Sequence, residues 1–312
     1  MSTIKALDVA YVRFSVPDLE RQRAFLKDFG LIETTTDIDG VVYFRGQGAA
    51  PFCYAVQAGE PAFLGLGIYA KDRADLDKIA AHDGVRVEAT DAPGGGYRVR
   101  LSDPDGFVVD VVAGQTPVEP MAGPAVLGWN EGGALPRTAQ RKIGTAGASH
   151  VQRLGHVVLG VSDFRTSEAW YKDRFGLLTS DEVQPAPGVA IAAFMRCDRG
   201  DQVCDHHTIV CAKFFGPARF MHAAFEVASM DDLMFGHDHL KAAGHKLEWG
   251  TGRHILGSQV FDYWHDPYGH ELEHWTDGDQ FDASIPAGVA TVADVLGVQW
   301  GAPFPHDVGA PA

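Results

Sequence analysis

The sequence contains few cysteines and no pattern that would pair them. Its 312 residues include four, and no two of them form a CxxC pair. Three lie within fifteen residues of one another, which leaves a small metal or redox cluster as an alternative. Reduced structural thiols are the favoured interpretation, because nothing in the sequence indicates an oxidising compartment. The four are Cys53, Cys197, Cys204 and Cys211.

The chain also lacks positive charge and long apolar segments. Lysine and arginine total 26 against 41 aspartates and glutamates, which gives a net charge of −15. This balance argues against nucleic acid or an anionic membrane as a partner. The sequence contains no run of about 18 apolar residues, so no membrane span is predicted. Residues 1–16 also lack the pattern of a secretory signal. We therefore expect a cytoplasmic globular protein, with a length that suggests two domains.

Two segments of the chain resemble each other. Residues 10–37 and 155–182 both open with an alternating apolar strand and continue through an aspartate into an amphipathic helix. Aspartate is a common helix N-cap, and glycine is common at left-handed C-terminal caps. The copies therefore predict two helices with matching ends, which begin after Asp18 and Asp163 and end at the pairs Phe29-Gly30 and Phe175-Gly176.

The two copies also end alike. Residues 98–112 and 260–275 each place Asp-Pro-x-Gly between two β-rich runs, where proline fixes φ and glycine accepts positive φ. Between these ends each half contains a further strand and helix, at residues 63–88 and 221–248. The pattern predicts an α+β fold of tandem βαβββ modules, two in each half. The expected boundaries are 1–115 for an N-terminal domain, 116–150 for a linker, 151–285 for a C-terminal domain and 286–312 for a tail.

The histidines are distributed very unevenly between these similar halves. Thirteen of the fourteen lie at or after His150, and only His82 precedes it. A purely structural role would not require this asymmetry. The two halves can be aligned on their helix caps and on their turns. In this alignment, residue types that bind metals in the second half stand opposite different residues in the first. The aligned positions are Tyr11 with His156, Asp110 with Glu273, and the apolar stretch around Phe63 with His222.

The second half therefore carries two histidines and a glutamate on three predicted strands. If the sheet curls into a trough, His156, His222 and Glu273 can converge from neighbouring strands. Two neutral imidazoles and one carboxylate form the facial triad that leaves open positions on a non-haem Fe(II), and Mn(II) suits the same ligands. The alternative for each histidine alone is a surface or hydrogen-bonded core residue. The repeat alignment favours the metal site.

Several segments of the second half resemble the type I extradiol ring-cleaving dioxygenases of the vicinal oxygen chelate superfamily. These segments are GHVVLGV, HHTIV, ARFMHAAFEV and the stretch from GRH through DYWHDPYGHELE. The last stretch is the most specific, because it contains the family's ordered residues at His254, Tyr263, Pro267, Gly269 and Glu273. Asp262 departs from the family pattern, in which an apolar residue usually precedes the tyrosine.

The resemblance implies two curled-sheet barrels, of which the N-terminal one holds no metal. It also implies extradiol (meta) cleavage of a catechol-type diol by O2 at Fe(II), or Mn(II), held by the His-His-Glu triad. His207 would act as acid and base, and His254 and Tyr263 would hydrogen-bond the substrate oxygens. These residue types suit those roles, since histidine titrates near neutral pH and tyrosine is a hydrogen-bond donor. The resemblance further predicts a homo-oligomer.

Other polar and aromatic side chains of the second half are expected to lie outside the site. Of the neighbours His206 and His207, alternation along a strand turns only one inward, and the family match selects His207. The tail aromatics Trp300 and Phe304 are expected to dock on the trough or on a second subunit. Six further histidines are also expected outside the site. Three are expected on the hairpin exterior or directly behind the site residues (His265, His270, His274), and three in solvent around the predicted helix (His237, His239, His245).

Two other functions fit parts of this pattern. A glyoxalase-type isomerase of the same superfamily would need metal ligands from both paired modules, and the first half supplies none by alignment. A small-molecule binder of the bleomycin-resistance type would use the trough as an apolar pocket. Such a binder would not require the triad together with His207, His254 and Tyr263. The sequence therefore favours a dioxygenase.

Overall fold

The computed structural model describes residues 2–38, 40–125, 127–213 and 216–306. The first half contains β1 (Asp8–Val16), α1 (Leu19–Asp28), β2 (Ile32–Ile38), β3 (Val41–Arg45), β4 (Tyr54–Ala58), β5 (Ala62–Tyr69), α2 (Arg73–Asp83), β6 (Val87–Ala89), β7 (Tyr97–Ser102) and β8 (Val108–Ala113). The second half begins with β9 (Val151–Gly160), α3 (Phe164–Phe175), β10 (Leu178–Val183), β11 (Ala192–Arg196), β12 (Cys204–Asp205), β13 (Ile209–Ala212), β14 (Arg219–Val227) and α4 (Met230–Ala242). It ends with β15 (Lys246–His254), β16 (Val260–His265), β17 (Glu271–Thr276), β18 (Gln280–Phe281), β19 (Gly288–Ala290), α5 (Val292–Leu296) and β20 (Val298–Gly301). None of the helices in these ranges is long and apolar enough to cross a membrane.

Each half folds into one large sheet built from two βαβββ units. In the first half the strand order is β2-β3-β4-β1-β5-β8-β7-β6, and the two units join where β1 pairs antiparallel with β5. In the second half the order β10-β11-β13-β9-β14-β17-β16-β15 repeats this arrangement, with β9 antiparallel to β14. The predicted α+β fold of tandem βαβββ modules is confirmed. Over the described residues both sheets are curled and open rather than closed barrels.

The predicted helix ends are also found in the structure. The side chains of Asp18 and Asp163 accept hydrogen bonds from backbone N–H groups in the first turns of α1 and α3. Gly176 ends α3 at φ 66°, and Gly30 follows α1 at φ 97°. A Cβ atom at Gly30 would lie 1.9 Å from the carbonyl oxygen of Ser149, so glycine is required there for close packing as well as for backbone conformation.

The strand register places the two halves in the alignment that the repeat predicts. One row across the second sheet contains His156, Ala224, Glu273 and Tyr263. The equivalent row across the first sheet contains Tyr11, Gly67, Asp110 and Arg100. The counterpart of His222 is Gly65, because Gly65 pairs with β1 as His222 pairs with β9. Since cross-strand neighbours share a face, the residues of each row point to the same side of their sheet.

Each half covers the hairpin turn of the other. Gln22 on α1 donates from Nε2 to Oδ2 of Asp266 at 3.0 Å. In the reciprocal contact, Tyr171 on α3 donates from its hydroxyl to Oδ2 of Asp103 at 3.2 Å. Both aspartates begin an Asp-Pro-x-Gly turn, and both are buried. A buried carboxylate requires hydrogen-bond partners, so these contacts fix the position of each turn against the opposite half.

Three of the histidines placed outside the site lie at this interface. The prediction of solvent for His239 and His245 is wrong, and of the two positions left open for His274 the structure excludes the exterior. His274 is completely buried, stacks on Phe29 with ring centroids 3.8 Å apart, and donates from Nε2 to the Phe29 carbonyl at 2.7 Å. His239 and His245 contact the two carboxylate oxygens of Asp28 at 3.1 and 2.9 Å. The reason is that α1 of the first half packs on α4 of the second, a contact that the local sequence does not encode.

The other three histidines of the hairpin and helix are also not solvated. Their side chains are between 11% and 15% exposed, and each contacts a carboxylate. Asp262, the residue that departs from the family pattern, is completely buried and is one of these partners. The pairs are His237 with Asp262, His265 with Glu248, and His270 with Asp266. The concentration of charge in the hairpin therefore reflects buried pairing rather than a wet surface.

The tail runs from one edge of the second sheet to the other. β19 pairs with β10 at one edge, and β20 pairs with β15 at the opposite edge. Between them, valines of α5 pack on apolar side chains of β9, β11 and β13. Phe304 packs on Trp249 with ring centroids 5.0 Å apart, and Trp249 donates to the carbonyl of Ala302 at 2.8 Å. Of the two expected positions for Phe304, the structure therefore gives the trough, whereas Trp300 remains 40% exposed.

Replacing His274 with alanine is expected to lower the free energy of unfolding by about 2–4 kcal/mol. The variant would leave the buried Phe29 carbonyl without its donor and a cavity where the imidazole stacks. Chemical denaturation of the metal-free protein measures this loss. As a control, His306→Ala removes a side chain that is 61% exposed and should change stability by less than about 0.5 kcal/mol. Equal effects of the two variants would contradict the interface role of His274.

Candidate metal centre

Three adjacent strands bring the two histidines and the glutamate together. His156 lies on β9, His222 on β14 and Glu273 on β17, and these strands are neighbours in the second sheet. One candidate ligand atom from each residue lies within 4.8 Å of the others. The carboxylate oxygen Oε2 of Glu273 faces both rings. It lies 3.2 Å from Nε2 of His156 and 3.4 Å from Nε2 of His222.

A small residue makes room between these ligands. Ala224 pairs with His156 on one side and with Glu273 on the other. Its side chain is only a methyl group, so it leaves free space between the imidazole and the carboxylate in this row. His222 precedes it by two residues and therefore shares its face of the sheet. The register thus places three ligands around one point of the trough.

The protein compensates the burial of the Glu273 carboxylate only in part. The side chain is completely buried, and neither oxygen meets the full geometric criteria of a hydrogen bond among the described residues. The Tyr263 hydroxyl and the His222 ring favour the charged form, but burial outweighs them. Nδ1 of His156 is buried and has no partner in the described part of the chain. A buried carboxylate whose charge is not fully compensated is unfavourable. A divalent cation bound by Glu273 and the two imidazoles would compensate it, so the residues present fit a metal ion.

The protonation states of the three residues also suit a metal. Burial lowers the pKa of His156 to about 3 and that of His222 to about 4. Both imidazoles are therefore neutral near pH 7 and have lone pairs available for coordination. Burial raises the pKa of Glu273 to about 7, although the nearby His222 opposes this shift. The glutamate is the group on which a proton and a metal would compete.

The other three residues predicted for the site surround this triad. The ring of His207 lies 4.0 Å from the ring of His156, and burial lowers the pKa of His207 well below its ordinary value. Nε2 of His254 lies 2.9 Å from the hydroxyl of Tyr263 and 3.9 Å from Oε1 of Glu273. Burial lowers the pKa of His254 to about 3 and raises that of Tyr263. The structure therefore brings together all six residues that sequence reasoning selected.

An aromatic wall beside the triad was not predicted from the sequence. Trp249 stacks on Tyr263 with ring centroids 5.6 Å apart, and Phe261 stacks on His254 at 4.1 Å. Alternation along β15 could not have identified Trp249, because the pairing of β15 with β16 shifts register on both sides of it. Phe304 of the tail completes the wall. Flat apolar surfaces next to polar groups are typical of a site for an aromatic ligand.

The premise that placed His206 and His207 on a strand is wrong, although His207 is the one that contacts His156, as expected. His206 and His207 lie between β12 and β13 rather than on a strand, so alternation does not apply to them. Both are buried, and their Nδ1 atoms are 3.0 Å apart. His206 is therefore in direct contact with a predicted site residue. The DHHT sequence contains this signal, but only the tertiary structure reveals the contact.

The equivalent position in the first half is occupied by a protein cation. Arg100 donates to both oxygens of Asp110, at 2.8 and 3.0 Å. Tyr11 donates its hydroxyl to Oδ2 of the same carboxylate at 3.1 Å. Asp110 is as deeply buried as Glu273, but its charge is compensated within the protein. This difference explains why the two halves share a frame and differ in metal-binding potential.

Comparison with known proteins identifies the family. Residues 153–274 match the model of the Glyoxalase/Bleomycin resistance protein/Dioxygenase superfamily. The chain is 31% identical to metapyrocatechase 2 of Cupriavidus necator over 305 residues, which cover 96% of this chain and 90% of that protein. The chain belongs to the extradiol ring-cleaving dioxygenases. The biphenyl-2,3-diol 1,2-dioxygenase of Paraburkholderia xenovorans is also 31% identical, over 85% of this chain and 86% of its own length. The resemblance inferred from the sequence motifs is confirmed.

Solved structures agree on the fold. The Mn(II)-bound glyoxalase from Novosphingobium aromaticivorans superposes with a TM-score of 0.76, covering 99% of this chain and 95% of that one. Its sequence is 24% identical to this chain, so the likeness concerns the fold alone. The arrangement of two curled sheets is therefore shared with that protein.

Replacing Glu273 with glutamine is expected to weaken Mn(II) binding by more than about 100-fold. Glutamine has nearly the same shape but no negative charge to offset the cation. Titration monitored by electron paramagnetic resonance measures free Mn(II) directly. Glu271→Gln is the matched control, since Glu271 lies on the same strand and the same face, and it should retain affinity within about tenfold. Loss of binding in both variants to the same extent would contradict the assignment of Glu273 as the ligand.

Metal binding is expected to release a proton at pH 6 but not at pH 9. Glu273 has a pKa of about 7 in the metal-free protein, and a bound cation requires the ionised carboxylate. The two histidines are already neutral at both values and release nothing. Apparent affinity should therefore fall about tenfold for each pH unit below 7. Calorimetry in two buffers of different ionisation enthalpy measures the released proton, and identical heats in both buffers at pH 6 would refute this expectation.

Proposed function

We propose that this protein cleaves the ring of a catechol-type aromatic diol next to its hydroxyl groups, using O2. Both oxygen atoms would be incorporated into the ring-opened product. The catalytic metal would be held by His156, His222 and Glu273. Membership in the extradiol dioxygenases supports the reaction class, and the names of the two relatives are consistent with a diol substrate.

The single observation that carries this proposal is the buried, incompletely compensated carboxylate between two neutral imidazoles. Two histidines and one carboxylate leave several positions of an octahedral ion open, as an oxygenase requires. Fe(II) is the metal that this triad most commonly serves, and Mn(II) prefers the same ligand types. We propose Fe(II) as the native ion, with Mn(II) as the alternative.

The bound metal would supply Lewis acidity that favours ionisation of the diol and a redox partner for O2. The surrounding side chains would bind the diol and move its protons. His207 is neutral and can accept a proton from a diol hydroxyl, then return it to an oxygen of the product. Tyr263 and His254 are within hydrogen-bond distance of each other, and each would turn its polar atom toward a substrate oxygen.

The remaining surface of the site would hold the ring and exclude water. Trp249, Phe261 and Phe304 form an aromatic wall beside Tyr263. A planar ring packed against this wall would be oriented with its hydroxyl groups toward the triad. Exclusion of water strengthens the electrostatic interactions of the site and protects reactive species from hydrolysis. The tail would therefore contribute to catalysis by closing the trough.

We further propose a division of labour along the chain. Residues 151–285 would form the catalytic domain, residues 1–115 a domain that supports it without a metal, 116–150 the linker and 286–312 the tail. The four cysteines are buried free thiols, which supports a reducing, cytoplasmic location. We propose a homo-oligomer in solution, which light scattering coupled to size-exclusion chromatography would measure.

The glyoxalase-type alternative is less well supported by this geometry. All three candidate ligands come from strands of the second half. The equivalent carboxylate of the first half, Asp110, is already paired with Arg100. A binder without catalysis would have no use for a buried triad with acid–base and hydrogen-bonding residues around it. The ring-cleaving reaction uses every one of these groups.

Oxygen uptake with a panel of substituted catechols tests the proposal. The enzyme would be reconstituted with Fe(II) under anaerobic conditions, and the visible spectrum would be recorded in parallel. We expect one O2 consumed for each diol and a new yellow ring-fission product. His222→Ala should abolish uptake and reduce metal content, whereas His82→Ala in the first half should retain both. Stoichiometric Fe(II) binding without uptake on any diol would contradict the proposed reaction.

A further inference from the structure

A chain of three hydrogen-bonding side chains leads from the site toward the surface. Nδ1 of His207 lies 3.0 Å from Nδ1 of His206. Nε2 of His206 lies 2.7 Å from Oδ2 of Asp181. The two histidines are buried, and the aspartate on β10 is 19% exposed. The proposed reaction assigns a role to His207 alone and leaves the other two side chains unexplained.

We propose that Asp181 and His206 are positioning residues that fix the tautomer of His207, with its proton on Nδ1 and a free lone pair on Nε2. This inference rests on the proposed function only for the use of that lone pair. The geometry of the three side chains carries the assignment itself. The Asp181–His206 pair acts through His207 and contacts neither the triad nor the substrate in this scheme.

The order of donors and acceptors follows from the chemistry of the groups. An ionised carboxylate can only accept hydrogen bonds, so Nε2 of His206 must be the donor to Asp181. In its neutral form the His206 ring carries one proton, which leaves Nδ1 as an acceptor. Nδ1 of His207 must then donate to it. The proton of neutral His207 is thereby held on Nδ1, and Nε2 has the free lone pair.

The surroundings of His206 prevent its ring from turning. Phe194 and Phe281 flank the ring, with centroids 5.9 and 5.3 Å from it. A Cβ atom at position 257 would lie 2.9 Å from Nδ1, so the ring occupies space that only Gly257 leaves free. The backbone N–H of His206 donates to the carbonyl of Asp279 at 3.0 Å. The acceptor for His207 is therefore held in place before substrate binds.

A fixed tautomer matters because the wrong one would be inactive as a base. Nδ1 of His207 faces His206, so only Nε2 is available to the substrate. If Nε2 already carried the proton, His207 could not accept another one there. With the proton on Nδ1, Nε2 can accept one from a diol hydroxyl, and the resulting imidazolium still donates to His206. The negative charge of Asp181 at the end of the chain favours that cation. The same proton can later return to the product, so the chain itself is unchanged.

Nuclear magnetic resonance of the histidine rings tests the assignment without activity. The full-length chain would be labelled with 15N-histidine and loaded with diamagnetic Zn(II), and the ring nitrogens assigned with single histidine substitutions. We expect protonated Nδ1 and bare Nε2 at His207, with the reverse at His206. In Asp181→Ala, His206 should lose its preference, and His207 should populate both tautomers. A wild-type His207 protonated on Nε2 would overturn the proposal.

Steady-state kinetics of Fe(II)-loaded variants tests the consequence. Asp181→Ala and His206→Phe should lower kcat on the order of 10- to 100-fold, with KM and iron content within about twofold of the wild type. Asp181→Glu keeps the carboxylate acceptor and His206→Gln keeps one acceptor and one donor, and each should restore most of kcat. If the conservative variants are as slow as the disruptive ones, or if the disruptive ones are fully active, the proposal fails.

The two experiments separate this proposal from the proposed function. A wild-type enzyme that consumes no O2 with any diol, but shows the expected ring protonation, would overturn the function and leave the tautomer assignment intact. Full activity of a wild-type enzyme whose His207 is protonated on Nε2 would support the function and overturn the tautomer assignment. If His206→Phe does not fold, Asp181→Ala and Asp181→Glu provide the same comparison, because Asp181 lies at the outer end of the chain.

Discussion

The buried carboxylate of Glu273 is the feature on which the rest of the second half depends. A negative charge with no exposed surface and too few hydrogen-bond donors is unstable unless a cation or a proton compensates it. The neighbouring imidazoles cannot supply the positive charge, since burial keeps His156 and His222 neutral. A divalent cation would compensate this buried charge. The strand register, the small Ala224 and the aromatic wall around Tyr263 keep the carboxylate in this buried position.

The two halves solve the same electrostatic problem in different ways. Both sheets place a carboxylate at the centre of an equivalent row, at Asp110 in the first and Glu273 in the second. In the first half Arg100 and Tyr11 satisfy the carboxylate within the protein. In the second half that row holds Tyr263 and His156 instead, neither of which carries positive charge. These substitutions, together with His222 where the first half has Gly65, separate a structural ion pair from a candidate metal centre on one frame.

Mutual packing of the halves gives the site its rigidity. Helix α1 of the first half covers the back of the hairpin that carries Glu273, where His274 stacks on Phe29 and donates to its carbonyl. Adjacent residues of one strand face opposite sides, so His274 fixes the strand from behind while Glu273 faces the trough. The tail fixes the other side by packing Phe304 on Trp249. Positions of catalytic groups need this support, because small displacements strongly reduce rates.

The sequence by itself determined the modules and the candidate triad through local patterns and the repeat, and its family resemblance added His207, His254 and Tyr263 as candidates. Helix caps at Asp18 and Asp163, the Asp-Pro-x-Gly turns and the uneven histidines are all visible without coordinates, and the repeat aligns His156 with Tyr11 correctly. Only the tertiary structure decided which polar side chains are buried together. His239 and His245 contact Asp28 because α4 packs on α1. His206 contacts His207 because both lie in the loop between β12 and β13 and not on a strand. Local periodicity contains no information about such contacts, since they arise when separate elements exclude water from a shared surface.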